Sequence, residues 1–261
     1  MKLGMICYPD ENGFNYMKKL GLDVCEITTN SLEDTNSRIA LKDSIIKSVA
    51  ETGITICSVG RWGQDKVLEG GVVCPDAIAE NKRLIDFCAE IGAPVFNFGV
   101  NYCNSVSKYR NIEITYGVIK DIVQYAQDKG VTPAIYNCSW SNHVYGPEMW
   151  DIYLDEFPTL GIKFDPSHTF DRGAKYLEET MSYGKRFVHT HVKGVIKDGR
   201  GHYDNPPAGL DSTDWNAYFG CLYYVGYDAA LSIEPHSSIW HGEIGDKGIE
   251  HTVKFVRGFM L

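Results

Sequence analysis

The chain has 261 residues, of which 44% are hydrophobic and 23% charged, and its formal net charge is −9. That length suits one large α/β domain or two small ones, and the composition is that of a soluble globular protein, not a fibrous or disordered one. The acidic balance, with no cluster of Lys or Arg, argues against a nucleic-acid or membrane-surface partner.

Short apolar runs alternate with amphipathic ones along the whole chain. Strands are expected over Lys2–Tyr8, Asp23–Thr28, Ile54–Gly60, Pro94–Val100, Val131–Asn137, Ile162–Asp165, Phe187–Lys193 and Asp228–Glu234. Helices are expected between and after them, over Asn12–Leu20, Arg38–Glu51, Pro75–Ile91, Ile114–Lys129, Glu148–Glu156, Ala174–Tyr183, Asp214–Tyr224 and Lys247–Phe259. Pro75 and Pro147 mark helix starts, and Gly53, Gly92, Gly130 and Gly226 mark stops. The strands look apolar on both faces, as parallel strands covered by helices should be. Eight βα units in strict alternation predict a single closed (β/α)8 TIM barrel over residues 1–261. The competing open sheet would want a Gly-rich phosphate turn after the first strand, and Tyr8-Pro-Asp-Glu-Asn-Gly13 is not one.

None of the eight cysteines has Cys-x-x-Cys spacing, and most lie in apolar runs. Buried reduced thiols are expected in place of a disulfide framework or a zinc knuckle. The first residues run directly into strand-like sequence, and no apolar run has transmembrane length. A cytoplasmic location is therefore expected.

Three of the strands finish in chemistry-bearing residues: Asp165-Pro-Ser-His168, His189-Thr-His191-Val-Lys193 and Glu234-Pro-His236. Barrel active sites lie at the carboxyl ends of the strands, so consecutive strands six, seven and eight bring these residues together. Alternation puts His189, His191 and Lys193 on one face. Carboxylate oxygen and neutral imidazole commonly hold a divalent cation, so Asp165, His191 and Glu234 are the candidate metal ligands. Each has a plainer reading: Asp165 as a helix N-cap, His191 as a satisfied core imidazole. His189, one layer deeper, is read as orienting its neighbours. Lys193 is either a substrate anchor or a surface lysine. Trp62 either stacks on a sugar ring or packs in its loop, and His236 and His143 read more simply as loop residues. Cys138 reads as a small buried thiol. The segment Lys197–Asp211 is the longest irregular loop, and Arg200, His202, Tyr203 and Asp204 on it could meet a polyol.

At these residues the chain resembles the xylose-isomerase-like barrel superfamily of sugar isomerases, 3-epimerases and endonuclease-IV-like enzymes. The resemblance covers essentially the whole chain and includes Gly-Leu-Asp-Val-Cys-Glu26 on strand two. It implies a divalent metal (Mn, Co, Zn or Mg) held by a glutamate on strand five, Asp165, His191 and Glu234, with His168 touching substrate or, in the endonuclease branch, holding a second metal. Strand five departs from the pattern: Tyr136-Asn137-Cys138 stands where the family has Glu-Asn-His. A neutral phenol is a poor ligand for a hard cation. The metal then keeps three protein ligands plus water, or Tyr136 becomes a proton donor or a metal-bound phenolate, or metal and chemistry are both lost.

The first functional expectation is a metal-dependent sugar or keto-sugar isomerase or epimerase working by proton abstraction next to a carbonyl. Glu234, Lys193 and Tyr136 would be catalytic, and His168, Asn137, Trp62 and His236 would bind substrate. The alternatives are a lyase of 3-keto-glycosides or C-glycosides and a non-catalytic sugar binder. An abasic-site endonuclease ranks last, because strands three and four end in Ser58-Val-Gly60 and Asn97-Phe-Gly99 without histidine. The expected partner is a small sugar or polyol, with no nucleic acid and no membrane, and homo-oligomerisation is left open.

Overall fold

The structure is a computed structural model describing residues 1–261. Eight parallel strands close into a barrel: β1 (Lys2–Ile6), β2 (Val24–Thr29), β3 (Thr55–Arg61), β4 (Val95–Phe98), β5 (Thr132–Tyr136), β6 (Gly161–Phe164), β7 (Phe187–Val192) and β8 (Ala230–Ile233). Closure runs through β1 and β8, where Lys2 pairs with Ala230 and Met5 with Ile233. The strands are buried on both faces because helices cover the outside and side chains fill the inside. One core cluster runs round the barrel between sheet and helices. On the β6 side it includes Trp150, Phe164, Phe187 and Tyr218.

Helix boundaries differ from expectation where a polar cap, not an apolar period, sets them. The expected helix Arg38–Glu51 is two helices, Leu32–Ala40 and Lys42–Thr52. The first is capped by Ser31, whose hydroxyl accepts from the Asp34 amide at 3.0 Å. The second ends at Gly53, whose φ of 76° lies in the left-handed region that glycine adopts without steric cost. The helix expected from Ile114 begins at Lys108 behind the Ser107 cap. The last helix begins at Gly242. The Lys197–Asp211 segment is not irregular throughout: Ile196–Asp198 and Gly201–Asp204 pair as an antiparallel ribbon. All eight cysteines are unpaired. No helix is long and apolar enough to cross a membrane.

Candidate active site at the barrel mouth

β6 is followed by Asp165, which caps the short helix Pro166–Asp171. Its two oxygens do different work. Oδ1 accepts from the Ser167 amide at 2.8 Å, the N-cap reading of this residue. Oδ2 is fully buried and receives no hydrogen bond, although Lys193 Nζ stands 3.1 Å away. The capping bond holds Oδ2 in place facing the barrel interior.

The strand period places Lys163, two residues before Asp165, on the same inner face, and puts His189 and His191 together on β7. Glu26 of β2 reaches both imidazoles: its Oε2 lies 2.8 Å from His189 Nε2 and 2.8 Å from His191 Nε2. An ionised carboxylate only accepts, so both Nε2 atoms carry protons. Burial alone would raise the Glu26 carboxyl, but the two imidazoles hold it well below the usual carboxylate range. Burial keeps His189 neutral, its pKa lowered, which leaves its Nδ1 a bare, unpartnered lone pair.

His191 therefore presents Nδ1 to the mouth. That atom is 2.8 Å from Glu234 Oε2, 2.8 Å from Lys163 Nζ and 3.7 Å from Asp165 Oδ2. Burial lowers the imidazole's affinity for its second proton, but Glu26 and Glu234 outweigh it and hold the pKa up to about 10. A proton on Nδ1 bonds Glu234; with that proton gone, Nδ1 accepts from the Lys163 ammonium. Lys193 Nζ bridges Asp165 Oδ2 at 3.1 Å and Glu234 Oε2 at 3.0 Å, and lies 3.2 Å from His168 Nε2. Burial, helped by Lys193, pushes His168 down to about 3, so it faces the ammonium as a neutral acceptor.

Asp165, His191 and Glu234 thus converge, with one donor atom from each lying within 4.8 Å of the others. That spacing and the orphaned Asp165 Oδ2 fit a single divalent ion, with open positions on the cavity side. Glu26, His189 and His191 form a second such group, deeper and fully buried. Above the cluster lies a cavity of about 390 Å³ whose wall includes Trp62, Trp140, Lys163, His168, Lys193 and Glu234. Trp62 is folded back over β3, and only a glycine at 60 leaves room for it: a Cβ there would lie 1.7 Å from the indole ring. His236 stands exposed at the rim, 3.6 Å from Glu234 Oε1.

The other expected residues are placed differently. Tyr136 is fully buried, stacked on Trp62 with ring centroids 5.6 Å apart, and its hydroxyl donates to the Trp140 carbonyl at 3.1 Å. Burial pushes the phenol well above its ordinary pKa, and it is not part of the cavity wall. This geometry commits the hydroxyl to a loop carbonyl. Asn137 turns to the backbone of the next strand end. Its amide clamps the Asp165 backbone, accepting from the Asp165 amide at 2.9 Å and donating to the Asp165 carbonyl at 2.8 Å. His202 and Asp204 tie the ribbon to Asp171 and Ser237, while Arg200 and Tyr203 bond Asp198 within it. Reading strand ends alone passed over Lys163 and left Glu26 without a role. The alternation that placed His189 and His191 would have found both, because each is a lone charged residue on the inner face of an apolar strand.

The model of the xylose isomerase-like TIM barrel family matches residues 14–258. The chain belongs to that family. Several solved structures share the whole fold. The 3-keto-D-glucoside 4-epimerase from E. coli has 16% sequence identity over 99% of each chain, with a TM-score of 0.77. D-allulose 3-epimerase from Methylomonas sp. has 16% identity over 100% of this chain and 98% of its own, also at 0.77. The IolI protein, solved with a bound zinc atom, has 17% identity over 99% of this chain and 98% of its own, at 0.78. At these identities the likeness establishes a xylose isomerase-like barrel and leaves substrate and chemistry to the residues of this chain.

Proposed function

We propose that this xylose isomerase-like barrel is a sugar or keto-sugar isomerase- or epimerase-like enzyme that removes a proton from a carbon beside a carbonyl. One observation carries the reading. An ionised, cavity-facing Glu234 stands 3.0 Å from the Lys193 ammonium at the floor of a cavity of sugar-accommodating size. Glu234 is the base. Lys193 donates to the oxyanion that forms as the proton leaves, and this developing charge is what the site stabilises most. Burial opposes ionisation of Glu234, but Lys193 and His191 hold its carboxyl well below the usual range. When Lys193 turns to a substrate oxygen, Glu234 loses the cation that does most to hold it ionised and becomes more basic. His168 and the two indoles of the wall position the sugar. A divalent ion held by Asp165, His191 and Glu234 would add Lewis-acid charge at the reacting oxygens.

Glu234 is the one carboxylate in the cavity wall, and Tyr136 supplies no acid opposite it. A single base on a single face returns the proton to the face it left. That suits aldose–ketose isomerisation more than inversion at one carbon, and it favours β-elimination from a 3-keto-glycoside as the second reading. The test is solvent-deuterium incorporation into a panel of ketoses and 3-keto-glycosides, followed by NMR. Exchange at the carbon next to the carbonyl is expected, falling roughly 10²- to 10⁴-fold in folded Glu234→Gln. No exchange with any candidate would refute proton abstraction.

A further inference from the structure

The carboxylate oxygens that would hold a metal already hold a cation. Lys193 Nζ lies 3.1 Å from Asp165 Oδ2 and 3.0 Å from Glu234 Oε2, and its side chain is 3% exposed. The third donor is met in the same way. His191 Nε2 is committed to Glu26, and the remaining nitrogen, Nδ1, has Lys163 Nζ at 2.8 Å. Metal–ligand distances of about 2.0–2.6 Å to these atoms would put the ion in contact with both ammonium groups, and like charges that close repel strongly. The two cavity-side carboxylates, Asp165 and Glu234, therefore stand against Lys193, and His191 against Lys163, before any divalent ion arrives. The contact between Lys193 and Asp165 is a charge contact without hydrogen-bond geometry, since Oδ2 receives no directed bond. That makes it the contact a metal can break.

We propose that Lys193 is the resident counter-cation of this site, and that a divalent metal enters only by displacing its ammonium from Asp165 and Glu234. This rests on the reading of Asp165, His191 and Glu234 as a metal centre. Lys193 already lines the cavity, so the displaced ammonium moves toward the substrate. Metal binding and the positioning of Lys193 on a substrate oxygen are then one event. The metal affinity of the natural site is correspondingly weaker than its donor atoms allow.

The experiment is calorimetric titration of Mn²⁺ into chelator-treated natural protein, Lys193→Met and Lys193→Gln, with circular dichroism to confirm folding. Either folded variant is expected to bind Mn²⁺ at least tenfold more tightly, and to gain more in Tm from a fixed Mn²⁺ concentration than the natural protein does. Adding Asp165→Asn should abolish the gain. Unchanged or weaker Mn²⁺ binding in the folded variants overturns the displacement proposal. If that unchanged binding still depends on Asp165, the metal centre stands. If neither the natural protein nor the variants bind Mn²⁺, both readings fall.

Discussion

Asp165 shows how one side chain serves the fold and the site together. Its Oδ1 caps a helix, its backbone is clamped on both sides by Asn137, and what is left over, Oδ2, is the atom that faces the cations. Asn137→Ala removes the clamp and leaves the buried Asp165 amide without an acceptor. A loss of about 2 kcal/mol is expected in urea denaturation, together with weaker Mn²⁺ binding. A second residue behaves differently with pH. Lys66 Nζ is fully buried without a hydrogen-bond partner, and burial, with Arg61 adding to it, lowers its pKa to about 7. In the unfolded chain the amine stays charged up to its ordinary value of 10.5, so between about 7 and 10.5 the unfolded state binds more protons. Stability should therefore rise with pH across that window. Between pH 7 and 9 the natural protein should gain roughly 2 kcal/mol that Lys66→Met does not gain, measured by urea denaturation at the two pH values.

At the scale of the element, β6 and β8 act through residues just beyond their carboxyl ends, Asp165 and Glu234. β3 carries Gly60 one residue before its end, where Trp62 folds over it, and β4 is followed by Gly99, where a Cβ would lie 2.5 Å from the Tyr136 hydroxyl. These close approaches build the aromatic wall. Gly60→Ala should lower stability by about 1–3 kcal/mol through overpacking and shift tryptophan fluorescence as the indole moves. The barrel was legible in the sequence because strand and helix periods alternate without a break. The ligand-like triad was legible because the fold turns strand order into adjacency. Helix starts at Leu32 and Lys108 were missed because Ser31 and Ser107 announce them by capping, which leaves no apolar period to read. The fates of Tyr136 and Asn137 could not be read, because both sit at the end of strand five, where only packing decides what they touch. Tyr136 turns its hydroxyl to a loop carbonyl, and Asn137 spends its amide on the backbone of the next strand.

At the scale of the molecule, the mouth of the barrel gathers charges from four strands, β2, β6, β7 and β8, into one mostly buried network. Such a network is costly unless every ion is matched, and the match here includes two lysines alongside the carboxylates. The family fold supplies the convergence, and this chain's own substitutions decide the chemistry: one carboxylate on the cavity wall and a buried phenol on strand five. The most direct test of that account is a crystal structure of Glu234→Gln soaked with a ketose that the natural protein exchanges. It should show the carbonyl oxygen and its neighbouring hydroxyl beside residue 193 and residue 234, above Asp165 and His191 and against Trp62. A sugar bound elsewhere, or bound with its carbonyl turned away from residue 234, would contradict it.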